Sequence, residues 1–468
     1  MIILSISSVV FYSIMALNYL PLMLFSIATN YYCGRKIIES RKRQVLVLGI
    51  IFNLSLIFVF KYVDFFVSTI SHSQPFLWNE IIPLGISFYT FTQISFLVDA
   101  YKGEISQDVT FPSYFLFVTY FPHLIAGPIL HHKEMIDQFS QKIKYNINYE
   151  NISVGLTFFC MGLFKKVVIA DSLIPYVRPV FEAASFAETL TPLECWCGAF
   201  SYTFQLYFDF SGYSDMAIGI SKLFNFNLPF NFNSPYKATS IIDFWKRWHI
   251  SLSNFLRDYL YVPLGGNRKG STRRYVNIFI TMVLGGVWHG ANLTFLFWGV
   301  YHGVLICLNH LWRSFSERKS QLFVGRFLKT ISTFLFVVVG WVIFRSKDIQ
   351  TSLYFLKRMF YFPDYINVPA GWSGALYRLN INPLDYGLQF AEMPYFSGKN
   401  HIIILCVVGF LCFFLKNTQE LLIPQMDTKV KMFYKWQPNT RWAIIIVLIS
   451  SYSIFKIGSA SEFLYFQF

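Results

Sequence analysis

The chain has 468 residues, of which 54% are hydrophobic, 20% aromatic and 14% charged, with a formal net charge of +14. Soluble globular domains carry roughly 25% charged residues, so the composition excludes a soluble fold and indicates a polytopic membrane protein. The basic excess does not describe a nucleic-acid face, because it sits in short loops between apolar segments: Arg35, Lys36, Arg41, Lys42 and Arg43, then Arg268, Lys269, Arg273 and Arg274, then Lys429, Lys431, Lys435 and Arg441. Positive-inside topology places these loops in the cytoplasm.

A spanning helix needs about 20 mostly apolar residues, and roughly ten to twelve segments qualify. Residues 1–34 hold two, separated near Asn18, and 45–70 is the third. The N-terminus is apolar at once, without a basic n-region or small-residue cleavage site, which reads as a retained helix and not a signal peptide. Segments 81–100 and 114–130 carry Pro83, Pro122 and Pro128, which kink or end helices. Segments 149–173 and 193–223 follow, then 275–312, which lacks Asp, Glu, Lys and Arg and is long enough for two helices. Segments 327–344, 402–415 and 442–455 complete the set. Residues 224–274 are too polar to span and too aromatic for an ordinary loop, and read as re-entrant or interfacial helices on the cytoplasmic side. Residues 361–400, rich in Pro, Gly, Asn and Tyr, read as a large extracytoplasmic or interfacial loop. With no internal repeat, low-complexity tract or linker, residues 1–468 form one membrane domain, its core motifs at 83–345 and its C-terminal helices at 402–468.

The seven cysteines lie scattered through apolar stretches and read as small buried hydrophobes, with no zinc spacing. Of nine histidines, His72, His131, His132, His310 and His401 lie in loops or at segment edges and read as structural, and His123 follows Pro122 at another edge. His249, His289 and His302 are left. On one continuous helix His289 and His302 would lie about 220° apart, which argues against a shared site there. The absence of H-E-x-x-H and H-x-x-x-H argues against metal catalysis. His289, in Trp288-His289-Gly290-Ala291, stands inside the charge-free run, where an ionisable group marks a functional site. A neutral imidazole takes a proton from a hydroxyl near pH 7, so His289 is a candidate general base; the other reading is a histidine satisfied by a neighbouring carbonyl. His249, beside Trp245, Lys246, Arg247 and Trp248, would orient a substrate or bind its phosphates, or would be merely interfacial.

Asp209 and Asp215, six apart in an apolar segment, either pair with Lys or Arg across the bundle or line a polar path to the substrate. Gly265-Gly266-Asn267-Arg268-Lys269-Gly270 matches no phosphate-loop pattern and is a tight turn, whose Arg268 and Lys269 would attract donor phosphates or anionic lipid headgroups.

These stretches together resemble the membrane-bound O-acyltransferase family, in its bacterial alginate and peptidoglycan O-acetylation branch. The resemblance is carried by Phe204-Gln205-Leu206-Tyr207-Phe208-Asp209-Phe210-Ser211-Gly212-Tyr213-Ser214-Asp215, Phe244-Trp245-Lys246-Arg247-Trp248-His249 and Arg257-Asp258-Tyr259-Leu260-Tyr261-Val262-Pro263-Leu264-Gly265-Gly266-Asn267. It continues in Gly285-Gly286-Val287-Trp288-His289-Gly290-Ala291, with Phe121-Pro122-His123, Gly340-Trp341 and the terminal Phe463-Leu464-Tyr465-Phe466-Gln467-Phe468. It implies an all-α polytopic membrane fold around a tunnel, with His289 catalytic and His249 at the second family position. It also implies a multi-pass protein of the bacterial cytoplasmic membrane that takes acetyl-CoA as acyl donor and holds no tightly bound cofactor. Donor and substrate contacts then fall on Trp245, Lys246, Arg247, Trp248, Asp209, Asp215, Trp288 and Arg268. Members of the branch typically work with a separate extracytoplasmic SGNH or esterase-like transferase acting on a polysaccharide; alginate, peptidoglycan, cellulose and capsular glycans all fit. D-alanyl transfer to teichoic acid, or acylation of a lipid or peptide, is the alternative within the family. A secondary transporter or channel is the rival of another class, although transporters commonly carry the internal repeats that this sequence lacks.

Overall fold

A computed structural model of the chain describes residues 1–71, 82–105, 108–125, 127–141, 146–315, 323–361, 366–373, 388–423 and 436–458, with Arg378 and Leu464 besides. His72, Ala126, the lysines at 429, 431 and 435 and most of the terminal motif therefore lie outside the described residues. The fold is helical, as expected of a polytopic membrane protein. The exception among the described residues is a parallel pair of short strands, Ile366–Pro369 and Leu388–Ala391, in the segment read as a loop.

The chain begins with α1 (Ile2–Ala16), a single 3₁₀ turn at Leu17–Tyr19 and α2 (Leu20–Ser40), so the break falls at Asn18 as the sequence suggests. α3 (Arg43–Ser71) and α4 (Ile86–Lys102) follow. Amides lock α2, α3 and α4 together: Asn53 Nδ2 donates to Asn30 Oδ1 at 2.6 Å, and Ser26 Oγ to Gln93 Oε1 at 2.7 Å. Side-chain hydrogen bonds of this kind join helices where burial of apolar surface gives no driving force. The prolines split the next segment into α5 (Phe111–Thr119) and the single turn α6 (Phe121–Leu124), before α7 (His132–Ser140).

α8 (Tyr149–Leu163) passes through a π-helical turn, Phe164–Ala170, into α9 (Asp171–Ser185). α10 (Pro192–Leu223) starts at a capping box in which Thr191 and Glu194 satisfy each other's main-chain N–H groups. Reciprocal glycines bring α8 and α10 together. A Cβ on Gly219 would lie 2.6 Å from the Gly155 oxygen, and one on Gly162 would lie 2.6 Å from the Gly212 oxygen. Short helices α11 (Ile241–Trp245) and α12 (Ile250–Leu256) and a π-helical turn at Arg257–Tyr261 make up the aromatic region read as re-entrant or interfacial. The charge-free run becomes a hairpin of α13 (Gly270–His289) and α14 (Leu293–Phe315), followed by α15 (Phe323–Arg345) and α16 (Ile349–Met359). Helices Gly398–Phe414, Thr418–Leu422 and Thr440–Lys456 close the described chain.

Five helical stretches among the described residues are long and apolar enough to cross a membrane: Ile2–Ser40, Arg43–Val67, Tyr149–Ser185, Leu293–Phe315 and Gly325–Arg345. This is fewer than the roughly ten to twelve segments picked from sequence at the 20-residue window. α10 is long enough but carries acids and a lysine, and α4 and Gly398–Phe414 have 17 residues each.

Candidate functional site

His289 is the last residue of α13, and its place is fixed from two directions. Gly286 on α13 and Gly299 on α14 let the hairpin close: a Cβ on Gly286 would lie 2.4 Å from the Phe295 oxygen, and one on Gly299 would lie 2.6 Å from the Met282 oxygen. A helix end leaves its final carbonyls without intrahelical partners. Here α3 supplies them: Lys61 Nζ donates to the oxygens of Trp288 (2.9 Å) and His289 (2.8 Å), and the Tyr62 hydroxyl donates to Val287. The imidazole is enclosed by rings, meeting Trp298 at 5.2 Å and Phe344 at 5.1 Å, both nearly perpendicular. Trp288 turns the other way and stacks on Phe91 at 5.1 Å.

His249 joins α11 to α12 with a left-handed backbone, φ 41° and ψ 57°, a region that costs a non-glycine residue energy. Hydrogen bonds on both sides hold it there. Ile250 N donates to Asn231 O, Trp248 N to Phe244 O and Ser253 N to His249 O. Asn231 is itself fixed by Ser214 and Ser251. The imidazole packs edge-on against Phe210 at 4.8 Å, and neither ring nitrogen has a hydrogen-bond partner among the described residues.

Three cavities lie in this region, two of them lined by one or both of these histidines. The outer one, about 540 Å³, is lined by residues 13–19, Lys61, residues 82–88, Ile125, Trp288 and His289. A second, about 20 Å³, is lined by aromatic and aliphatic side chains and by both His249 and His289. The third, about 370 Å³, carries Lys246, Arg257 and His310 beside Trp245 and Tyr261. The Arg257 guanidinium is held by Asp258 at 2.7 and 2.9 Å, hydrogen bonds that raise its pKa and keep it cationic. His289 is common to the first two cavities and Trp245 to the last two, so the three form a broken path through the bundle. Along α3, Lys61 stands roughly 27 Å from Arg43, and along α13, His289 stands roughly 28 Å from Gly270, at 1.5 Å per residue. The outer cavity therefore lies well away from the basic loops at which both helices start, beside the end of α13 and the later part of α3.

The residues singled out from sequence divide. His249, His289, Trp245 and Trp248 converge on the middle cavity, Trp288 lines the outer one and Lys246 the third. Arg247 is committed locally, to Asp243 at 2.9 Å and the Asn233 oxygen at 3.2 Å. Arg268 is exposed on the glycine turn and lines none of these three cavities. Asp209 pairs with Lys166 at 2.7 Å, and Asp215 with Lys165 at 2.6 Å and the Thr418 hydroxyl at 2.7 Å. These are the cross-bundle pairs that were one of the two sequence readings. Among the described residues no group of three or more His, Cys, Asp or Glu is placed to hold a metal ion.

Two further residues belong to the site. Lys61 breaks the apolar run of α3, and the rule that singles out His289 applies to it equally. His302 on α14 is fully buried and accepts from Trp245 Nε1 at 3.4 Å. Its ring and that of His289 flank Trp298, at 4.9 and 5.2 Å. The hairpin break at 290–292 brings the two histidines to the same tryptophan, where a continuous helix would have set them apart.

Residues 1–349 match the model of the MBOAT, membrane-bound O-acyltransferase family. The chain is 39% identical over 501 residues to a peptidoglycan O-acetyltransferase of Helicobacter pylori, covering 99% of this chain and 90% of the relative. It is 37% identical over 482 residues to the probable alginate O-acetylase AlgI of Pseudomonas putida, covering 99% and 93%. Similarity to a teichoic acid D-alanyltransferase of Bacillus subtilis is lower, 28% over 291 residues, covering 59% and 73%.

Proposed function

The chain belongs to the membrane-bound O-acyltransferase family, and from that premise we propose that it takes an acetyl group from cytoplasmic acetyl-CoA and passes it across the membrane for O-acetylation of a polysaccharide. One observation carries the reading: His289 borders both the outer cavity, remote from the basic loops, and the small middle cavity, which shares Trp245 with the cavity carrying Lys246 and Arg257. The donor phosphates bind on the Lys246 and Arg257 side, with Arg268 and Lys269 adding to the positive field there. The thioester reaches His289, and the acceptor hydroxyl enters the outer cavity. His289 takes the hydroxyl proton as the oxygen bonds to the acyl carbon; the carbon–sulfur bond breaks, and the proton passes to the departing thiolate. Lys61 and Tyr62 hold the end of the helix that presents the imidazole, while Trp245 and His249 line the way to it.

The relatives named for peptidoglycan and alginate support a glycan acceptor, with residues 1–468 acting as one domain of the bacterial cytoplasmic membrane beside a separate extracytoplasmic SGNH or esterase-like transferase. Acetyl-CoA is substrate in this scheme, and no tightly bound cofactor takes part. Purified protein in detergent, given acetyl-CoA without any ion gradient, is expected to turn it over. His289→Ala should reduce that turnover by about 10²–10⁴-fold, the usual worth of a positioned base. Equal turnover by His289→Ala would overturn the assignment, and intact-mass measurement on both proteins separates direct transfer from an acyl-histidine.

A further inference from the structure

Lys61 sits within Arg43–Val67, a stretch apolar enough to cross the membrane, and a charge in such a place calls for a partner. Among the described residues it forms no ion pair with a carboxylate. Its ammonium carries three N–H donors, and the oxygens of Trp288 and His289 take two of them, at 2.9 and 2.8 Å. The Trp288 ring, 5.7 Å away, is at the outer limit of a cation–π contact. One donor and the full charge are thus left over, and Lys61 borders the outer cavity of about 540 Å³ together with His289. No Asp or Glu lines that cavity; Asp64, one turn along α3, is not among its walls. The indole N–H of Trp288, which is among them, is a second buried donor with no hydrogen-bond partner among the described residues.

We propose that Lys61 binds the acceptor: the outer cavity takes a carboxylate-bearing sugar, whose carboxylate pairs with the Lys61 ammonium while a hydroxyl of the same sugar faces His289. The inference rests on the acetyl-transfer reading above and names the class of acceptor. Lys61 Nζ lies 2.8 Å from the main-chain oxygen of the residue whose imidazole takes the proton, so anchor and base stand side by side. The volume falls within the roughly 300–1,000 Å³ of small-molecule sites. Tyr19, Phe88 and Trp288, with Ser13, Asn18 and Ser87, offer ring faces and short polar side chains that suit a sugar. A neutral sugar leaves the ammonium without a counter-charge in an apolar wall, whereas a carboxylate gains a charge-assisted hydrogen bond. Such a bond is worth roughly 10–100-fold in affinity.

The test is acetyl transfer from acetyl-CoA by the purified full chain to a uronic-acid oligosaccharide and to its carboxyl-reduced, neutral counterpart of the same length. Product mass and thiol release are followed for the native protein, Lys61→Arg and Lys61→Met. The native protein is expected to favour the acidic acceptor by at least about tenfold in kcat/KM, Lys61→Arg to keep that preference and Lys61→Met to lose it. The ratio is the readout, because fraying of α13 slows both acceptors alike, while loss of the counter-charge slows the acidic one alone. Should Lys61→Met fail to fold, Lys61→Gln, which keeps an N–H for the carbonyls and removes the charge, should bring the ratio to one in its place. Equal native use of the two acceptors overturns the assignment, as does a preference that survives in a folded neutral variant. Thiol release with neither oligosaccharide acetylated overturns the sugar acceptor and leaves the donor reading standing. No thiol release by the native chain overturns both.

Discussion

Lys61 Nζ donates a 2.8 Å hydrogen bond to the main-chain oxygen of His289, tying α3 to the end of the helix that presents the imidazole. A buried carbonyl left without a donor costs about 1–3 kcal/mol, and α13 would regain partners by fraying its last turn. Displacements of about 1 Å at a reacting centre cost about 10²-fold in rate. Lys61→Met is therefore expected to lower kcat by about 10–100-fold with little change in the KM for donor. Lys61→Arg, which restores donors, should recover part of the loss. Steady-state kinetics on the three proteins decide it, and a native kcat in Lys61→Met would refute the role.

His249 combines a site position with a backbone conformation that side chains rarely adopt. Asn tolerates the left-handed region better than other non-glycine residues, whereas a β-branched residue does so poorly. His249→Asn should melt within a few degrees of the native protein, and His249→Val should be destabilised by about 1–3 kcal/mol. Turnover by folded His249→Asn then reports the imidazole alone. If Val melts like Asn, the backbone at His249 is not under the constraint that its φ of 41° implies.

The extent to which the site is legible in sequence follows from the range of each interaction. His289 is visible because one polar residue in a charge-free run is a local contrast, and the break near Asn18 is visible because Pro21 follows it. Lys61 gives the same local signal, but its meaning depends on contact with residues more than 200 positions away. His302 is hidden by geometry: helical periodicity places it opposite His289 until the chain turns at 290–292. The partners of Asp209 and Asp215 are hidden because Lys165 and Lys166 reach them from a π-helical turn on another segment, which an α-helical wheel does not anticipate.

Gly286 tests the hairpin. With its Cβ position 2.4 Å from the Phe295 main-chain oxygen, Gly286→Ala has no flexible neighbour to push aside, so α13 and α14 have to separate. Overpacking of this sort costs about 1–3 kcal/mol, and here it also moves His289 relative to Trp298. Gly325→Ala, with open space around its Cβ position, is the control. Activity per folded molecule should fall at least tenfold, or roughly 1.4 kcal/mol of barrier, for Gly286→Ala and stay native for Gly325→Ala. Native specific activity in both would show that the close approach does not position the imidazole.

The Lys166 ammonium lies 2.6 Å from Asp171 and 2.7 Å from Asp209, all three buried. Removing one partner of such a group leaves an uncompensated charge, at a cost of about 3–5 kcal/mol, whereas neutralising both sides together costs much less. Lys166→Met should therefore sharply reduce the yield of folded protein, and adding Asp209→Asn to it should restore part of that yield. If Asp209 serves the fold alone, the rescued double variant turns over acetyl-CoA at a near-native rate per folded molecule. If Asp209 instead contacts substrate, the double variant folds and stays inactive. Yield and specific activity thus separate, in one pair of proteins, the two roles that sequence leaves open for this carboxylate.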